Sequence, residues 1–197
     1  MLVISVCSLR KDWLVVVSAF ACWLLANPYY CIWHDARVYL ISAYARATPT
    51  AYQQDPWFMF GSQDNFSLFS SGYVLVIAWL GVTLAAKMMA IAGGLMWVFS
   101  SYIVTRVILG SQYKYALLIL ACVPLVYSAS TPLLTLTEAF TTSRPFSMGF
   151  TLLGVASYLR NKKLLAMVIG VLALLLHPLM GVWGILACCI FTLKDRY

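Results

Sequence analysis

Long apolar runs dominate the chain, and short breaks rich in Arg, Lys, Asn, Pro and Gly divide them. The first run, Trp13 to Ala26, ends at Asn27-Pro28, with Tyr29, Tyr30 and Trp33 just beyond it. The longest, Phe66 to Leu109, is interrupted by Lys87 and by Gly93-Gly94. Tyr115 to Ala129, Pro145 to Leu159, Leu164 to Leu176 and Leu179 to Leu193 follow. A helix needs about 20 apolar residues to cross roughly 30 Å of hydrocarbon, so the pattern predicts an all-α, polytopic transmembrane bundle of about six spans.

Between Trp33 and Gly72 the hydropathy falls, and Pro49, Asp55-Pro56 and the stretch from Gly61 to Asn65 mark loop. Asp35 to Ala47 contains no Gly or Pro and reads as a helix. With helical periodicity, Asp35, Tyr39, Ser42 and Arg46 share one stripe while Leu40, Ile41 and Tyr44 face away. Such an amphipathic helix lies along the membrane surface with its polar stripe towards a site.

The basic residues set a parity condition. Arg10-Lys11, the group from Arg106 to Lys114, the run Arg160 to Lys163 and the tail Lys194 to Arg196 can all be cytoplasmic only if an even number of crossings separates each pair. The later pairs comply with one hairpin each. The first complies if Phe66 to Ala86 is a re-entrant or surface-lying helix that feeds a true crossing at about Met88 to Thr105. A plain seven-helix count is the alternative. Residues 1–197 then form a single transmembrane domain with a cytoplasmic N-terminus and a non-cytoplasmic loop at 33–72, in the plasma (inner) membrane if the source is bacterial. Ala19-Phe20-Ala21 offers a signal-peptide cleavage site, but the apolar run continues past it, which favours an uncleaved first helix.

Composition agrees. The chain is 63% hydrophobic and only 10% charged, with a mean hydropathy of +0.88, which places it among integral membrane proteins. Its formal charge of +7 comes from small clusters between apolar runs, without the basic stripe and interleaved aromatics that nucleic acid requires. The six cysteines show no CxxC or Cys/His ligand spacing and read as small hydrophobes packed between helices. P-loop, GxGxxG, HExxH and GxSxG patterns are missing from the sequence.

In so apolar a chain, ionisable residues away from the basic clusters mark a polar site, because each is costly near hydrocarbon unless paired or wetted. Asp35 is suited to act as a general base on a hydroxyl or to hold a divalent cation; equally, it suits the N-cap of the helix it opens. Glu138 and Arg144 lie across the break between two apolar runs. Pro145 marks a helix's first turn, which puts Arg144 at a helix mouth where a phosphate is the natural guest. The other reading is a Glu138–Arg144 pair that fastens two helix ends. His177, before Pro178 at the same level, can donate to a phosphate or move a proton, or can be a satisfied structural residue. Asp55 and Arg46 are secondary candidates; Asp55 before Pro is also an ordinary turn starter. Asp64, amid Ser, Gln and Asn, reads as a solvated loop residue.

The segment His34-Asp35-Ala36-Arg37-Val38-Tyr39, followed by Pro49 and Asp55-Pro56-Trp57-Phe58, resembles the first outer loop of the GT-C glycosyltransferase superfamily. Glu138 to Pro145, with the later Arg160-Asn161-Lys162-Lys163 and His177-Pro178-Leu179, resembles the second outer motif and flanking helices of bacterial members. The resemblance implies a multi-span enzyme acting on polyprenyl-phosphate-linked sugars at the non-cytoplasmic face. It implies Asp35 as the catalytic or cation-binding acid, Glu138 as the second acid, and Arg144, His177 and His34 near the lipid phosphate. Many relatives pair two acids in the first loop where only Asp35 follows His34 here, so any divalent cation would rest on Asp35. The alternative is a non-catalytic subunit of a larger membrane complex, with further membrane subunits as partners. A small transporter fits less well, since the charges sit at helix ends rather than mid-span.

Overall fold

A computed structural model describes residues 6–61, 63–123 and 138–194. All regular structure among these residues is helical. The α-helices are α1 (Val6–Ala26), α2 (Asp35–Ala47), α3 (Pro56–Met59), α4 (Phe69–Leu80), α5 (Val82–Leu109), α6 (Tyr113–Cys122), α7 (Arg144–Leu159), α8 (Lys163–Leu176) and α9 (Pro178–Lys194). Single 3-10 turns cover Pro49–Tyr52, Gln63–Phe66 and Gly110–Gln112.

α1, α5, α7, α8 and α9 run between two ends of the molecule, and α6 folds back along α5. α1 is antiparallel to α5: buried Asp12 pairs with Arg106 and accepts from Tyr102, while Trp23 lies against Gly94. A β-carbon built on Gly94 would stand 2.1 Å from the Trp23 ring, so only glycine permits this approach. α5 turns at Gly110, with a φ of 57°, into α6, which folds back so that Tyr113 meets Tyr102 edge-on and the Trp97 indole donates to Leu120 O at 3.2 Å. α7 packs on α5 and carries small buried residues, Ser147, Gly149, Thr151, Gly154 and Ala156, against its neighbours. α8 returns, its turn formed by Asn161 in the left-handed region, and α9 comes back beside α7, where Tyr158 meets Thr192 at 2.5 Å. The first turns of α1, the α5–α6 turn, the α7–α8 turn and the end of α9 therefore share one end. The positions of Arg10-Lys11, of the group from Arg106 to Lys114 and of Arg160 to Lys163 lie at that end; the tail beyond Lys194 lies outside the described residues.

Helix length corrects part of the expectation. The stretch Val82–Cys122 is long and apolar enough to cross a membrane, and the hairpin at Gly110 makes α5 its long arm. The other apolar helices, Asp12–Ala26, Phe69–Leu80, Lys163–Leu176 and Pro178–Leu193, are 10–17 residues long. At about 1.5 Å per residue α8 covers roughly 21 Å, short of about 30 Å of hydrocarbon, so six full-length spans are not supported. The break expected at Lys87 and Gly93-Gly94 is not there: all three sit inside α5, and the chain bends instead at Gly81, with a φ of 70°. α5 accordingly starts at Val82 rather than near Met88, and α4 is a separate twelve-residue helix. The end expected for the following run at Ala129 lies outside the described residues.

α2 matches its expected bounds and lies over the end opposite the basic clusters. Tyr39 and Ala43 bury against Phe69 and Tyr73 of α4 and against Ala85 and Ala86 of α5. Ser42, also expected on the polar stripe, is buried as well, while Ile41 and Tyr44 face outward.

Candidate functional site

The site forms where three breaks between helices meet. The first is the link from α1 to α2. Its backbone is fastened to the third segment by Tyr30, whose N–H donates to Ala139 O at 3.0 Å. His34 adopts a φ of 49°, an uncommon value for a residue other than glycine, and directs the chain into α2. Asp35 is the first residue of that helix, and the N-cap position falls to His34. The N-cap role considered for Asp35 is therefore not the one it plays. Its carboxylate reaches across 109 residues of chain to Arg144 and lies 2.9 Å from His34 Nδ1. The second contact lies off the line of a hydrogen bond.

The second component is the buried segment from Glu138 to Ser143. Thr141 Oγ1 donates to Ala86 O at 2.5 Å and Ser143 Oγ donates to the Tyr39 hydroxyl at 2.9 Å, so each threads the segment to a different helix. Arg144 then opens α7 with Pro145 in the first turn, as the sequence predicts. One guanidinium nitrogen donates to Glu138 and another to Asp35, so this side chain joins the first-loop acid to the second. Thr142 also donates to Glu138. The Glu138 side chain is wholly enclosed, whereas Asp35 keeps 24% of its exposure. Of the two acids expected to act together, Glu138 is thus closed off against Arg144 and Thr142, while Asp35 stays reachable from solvent.

His177 is the third component, at the break between α8 and α9. Burial lowers its pKa, and the nearby Arg144 charge lowers it further, so the imidazole is neutral at pH 7. Its Nδ1 is buried and meets no hydrogen-bond partner among the other described residues. Burial also raises the Glu138 pKa above the ordinary carboxyl value, against the lowering pull of Arg144 and Thr142. The Tyr39 hydroxyl is raised for the same leading reason, burial.

The secondary candidates lie elsewhere. Asp55 caps α3, accepting from the Trp57 N–H at 2.8 Å, and stays exposed, as the turn reading expects. Arg46 binds Asp64, Nε to Oδ2 at 2.5 Å and Nη2 to the backbone oxygen at 2.9 Å. Asp64 is consequently buried, not solvated, and its remaining Oδ1 has no partner among the described residues. The signal that could have found it was on α2 all along: a lone Arg46 on a stripe with buried Tyr39 and Ser42 needs an acid opposite. Asp64, Ser42, Tyr39, Ser143 and His177 together line a cavity of about 280 Å³ beside the charged cluster.

A divalent cation does not suit this arrangement. Among the described residues no group of three or more His, Cys, Asp or Glu side chains could hold a metal ion, and Arg144 already supplies the positive charge between Asp35 and Glu138. Comparison of the chain with protein-family models, with curated proteins and with solved structures gives no match.

Proposed function

We propose that this chain is a GT-C-like membrane module that transfers a sugar from a polyprenyl phosphate at the non-cytoplasmic face. The observation that carries the reading is the convergence of Asp35, Arg144 and His177, from three distant segments, beside one cavity at the end of the bundle remote from the basic clusters. Large apolar side chains from several helices are exposed, among them Trp13, Leu25, Trp79, Leu164 and Trp183. A surface so apolar fits lipid, with the basic end cytoplasmic. The shorter helices α7, α8 and α9 then cross where the bilayer thins or where flanking side chains reach to the interface.

In the reaction, Asp35 accepts the proton of the acceptor hydroxyl as its oxygen attacks the anomeric carbon. The bond from that carbon to the phosphate oxygen breaks, and its electron pair leaves with the polyprenyl phosphate. The positive field of Arg144 and of the α7 N-terminus meets the growing phosphate charge, and the neutral His177 can donate its one N–H there. Glu138 is a positioning residue that fixes the guanidinium.

One observation favours a second reading. Arg144 is already met by two carboxylates within the chain, as expected of a non-catalytic subunit whose charges only fasten helix ends. Transfer assays in native membranes, with polyprenyl-phosphate sugars as donors, separate the two. A transferase loses about 10²- to 10⁴-fold of its rate in Asp35→Asn, the usual contribution of a general base. Lack of transfer from every such donor by correctly inserted protein, or transfer indifferent to Asp35→Asn, supports the subunit.

A further inference from the structure

We infer that a groove at the basic end of the bundle holds an anionic phospholipid, with one acyl chain between α5 and α8 and its phosphate on Arg160 and Lys162. The site lies at the opposite end from the cluster of Asp35, Glu138 and Arg144. Of the function proposed above it takes only the membrane placement; sugar transfer plays no part in it.

The groove follows from how three helices pack. α5 and α8 both lie against α7, and neither packs extensively on the other, so a gap is left between them. Buried Ala156 of α7 forms its floor, and a residue this small keeps the gap deep. Phe99 and Ile103 make one wall, Leu165 and Ile169 the other. Phe99 and Leu165 are exposed, so the groove opens on the outer surface of the bundle. Its volume of about 240 Å³ equals about eight waters at roughly 30 Å³ each, room for part of one hydrocarbon chain and not for a whole lipid. Along α8 it runs from Lys162 to Ile169, roughly 10 Å at about 1.5 Å per residue, the direction a chain takes from the interface into the bilayer.

Polarity changes along that length. The apolar walls lead up to Ser157, Arg160 and Lys162, all at the α7–α8 turn. Arg46, Arg106 and Arg144 each meet a carboxylate, but among the described residues neither Arg160 nor Lys162 does. Asp12, the described acid at this end, is already held by Arg106. Both bases are exposed and open to a counter-charge from outside. The occupant must join an anion to hydrocarbon: a soluble phosphate leaves the apolar walls uncovered, and a zwitterionic lipid brings its own cation to the bases. Arg and Lys together suit a phosphate, the guanidinium in bidentate contact and the ammonium as a point charge. Helix length brings them to the same depth. α8 covers roughly 21 Å, less than the hydrocarbon thickness, which draws its opening turn down to the level of the lipid phosphates.

The test is native mass spectrometry of the full chain in detergent micelles, titrated with phosphatidylglycerol and separately with phosphatidylcholine. The first phosphatidylglycerol should bind about twentyfold more tightly than phosphatidylcholine, from about fivefold per base. Arg160→Gln and Lys162→Gln, both at exposed positions, should each lower that preference about fivefold, and the double variant should abolish it. Leu165→Ser should weaken both lipids about threefold and keep the preference, since it removes only apolar wall. Lys114→Gln deletes the same charge at the same end but outside the groove, and should change nothing. Equal losses in Lys114→Gln and Arg160→Gln reduce the effect to the general field of the basic end and overturn the site. Absence of a preference for phosphatidylglycerol, its displacement by inorganic phosphate, or binding indifferent to Leu165→Ser overturns it as well. Lipid binding is read without a sugar donor, so its failure leaves the transferase reading standing, and failure of transfer leaves the lipid site standing. A chain recovered outside the membrane fraction removes the membrane placement, and both with it.

Discussion

Arg144→Met tests the charged cluster most directly, because it leaves Glu138 enclosed with Thr142 but no cation. A buried carboxylate without a counter-charge escapes the penalty by taking a proton, and that step caps what the substitution can cost. For a carboxyl of ordinary pKa near 4.3, protonation costs about 3.7 kcal/mol at pH 7 and about 1 kcal/mol at pH 5. Arg144→Met should therefore lower stability by up to about 4 kcal/mol at neutral pH, within the usual range for breaking a buried pair. The sign of the pH effect follows from the direction of the Glu138 shift. Burial raises its folded-state pKa above the unfolded value, so the folded state holds the extra proton. The associated stability is present below the unfolded pKa and is lost as pH rises through the folded one. Removing Arg144 takes away a lowering influence and pushes that window upward. Reversible unfolding in mixed micelles, followed by far-UV circular dichroism at pH 7 and pH 5, should show most of the deficit recovered at pH 5. Glu138→Gln added to Arg144→Met should recover it at pH 7 as well. A deficit that ignores both pH and Glu138→Gln would falsify the idea that Arg144 neutralises a buried acid.

The packing and capping assignments carry their own tests. Gly94→Ala should destabilise by about 1–3 kcal/mol, since its new methyl meets the Trp23 ring, and Trp23→Leu should relieve part of that loss in a double-variant melt. Asp55→Ala should cost about 1 kcal/mol or less, the worth of an exposed cap, with transfer unchanged. His177 has a folded-state pKa below its unfolded value, so its stability term is complete above pH 6.5 and is lost as pH falls through the folded value. His177→Gln should flatten the fall in melting temperature between pH 6.5 and pH 5; an unchanged profile would show that this imidazole does not stay neutral.

How far the sequence speaks differs from residue to residue. The bounds of α2 were legible because a helix without Gly or Pro, flanked by turn residues, announces itself locally. The division at Gly81 was not, because Leu80-Gly81-Val82 lies in an unbroken apolar run and hydropathy is blind to a backbone bend. Conversely Gly93-Gly94 looked like a break and proved to be a contact surface, where missing side chains admit Trp23 and Pro145. Glycine in an apolar helix means either, and only the neighbour decides. The types of the site residues could be read from their rarity, as could the end of the bundle they occupy. Their difference in burial could not: Glu138 and Asp35 are both acids bound to one guanidinium, one enclosed and one reachable from solvent. Asp64 was lost for a related reason, since polar neighbours in sequence say little about burial in space.

The cluster also bears on the choice between an active site and a fastening. Three charges at a helix junction are a poor way merely to join helices, because well-packed apolar residues of similar volume often stabilise as much or more. If fastening were the whole purpose, full enclosure of every member would serve it best. Glu138 meets that standard and Asp35 does not, although Arg144 binds both. Beside the exposed member lies a cavity lined in part by Ser143, which immediately precedes Arg144, and by His177. A fastening has no use for either feature, while a site that must admit a hydroxyl-bearing substrate needs both: an acid that can be reached, and space beside it for the ligand.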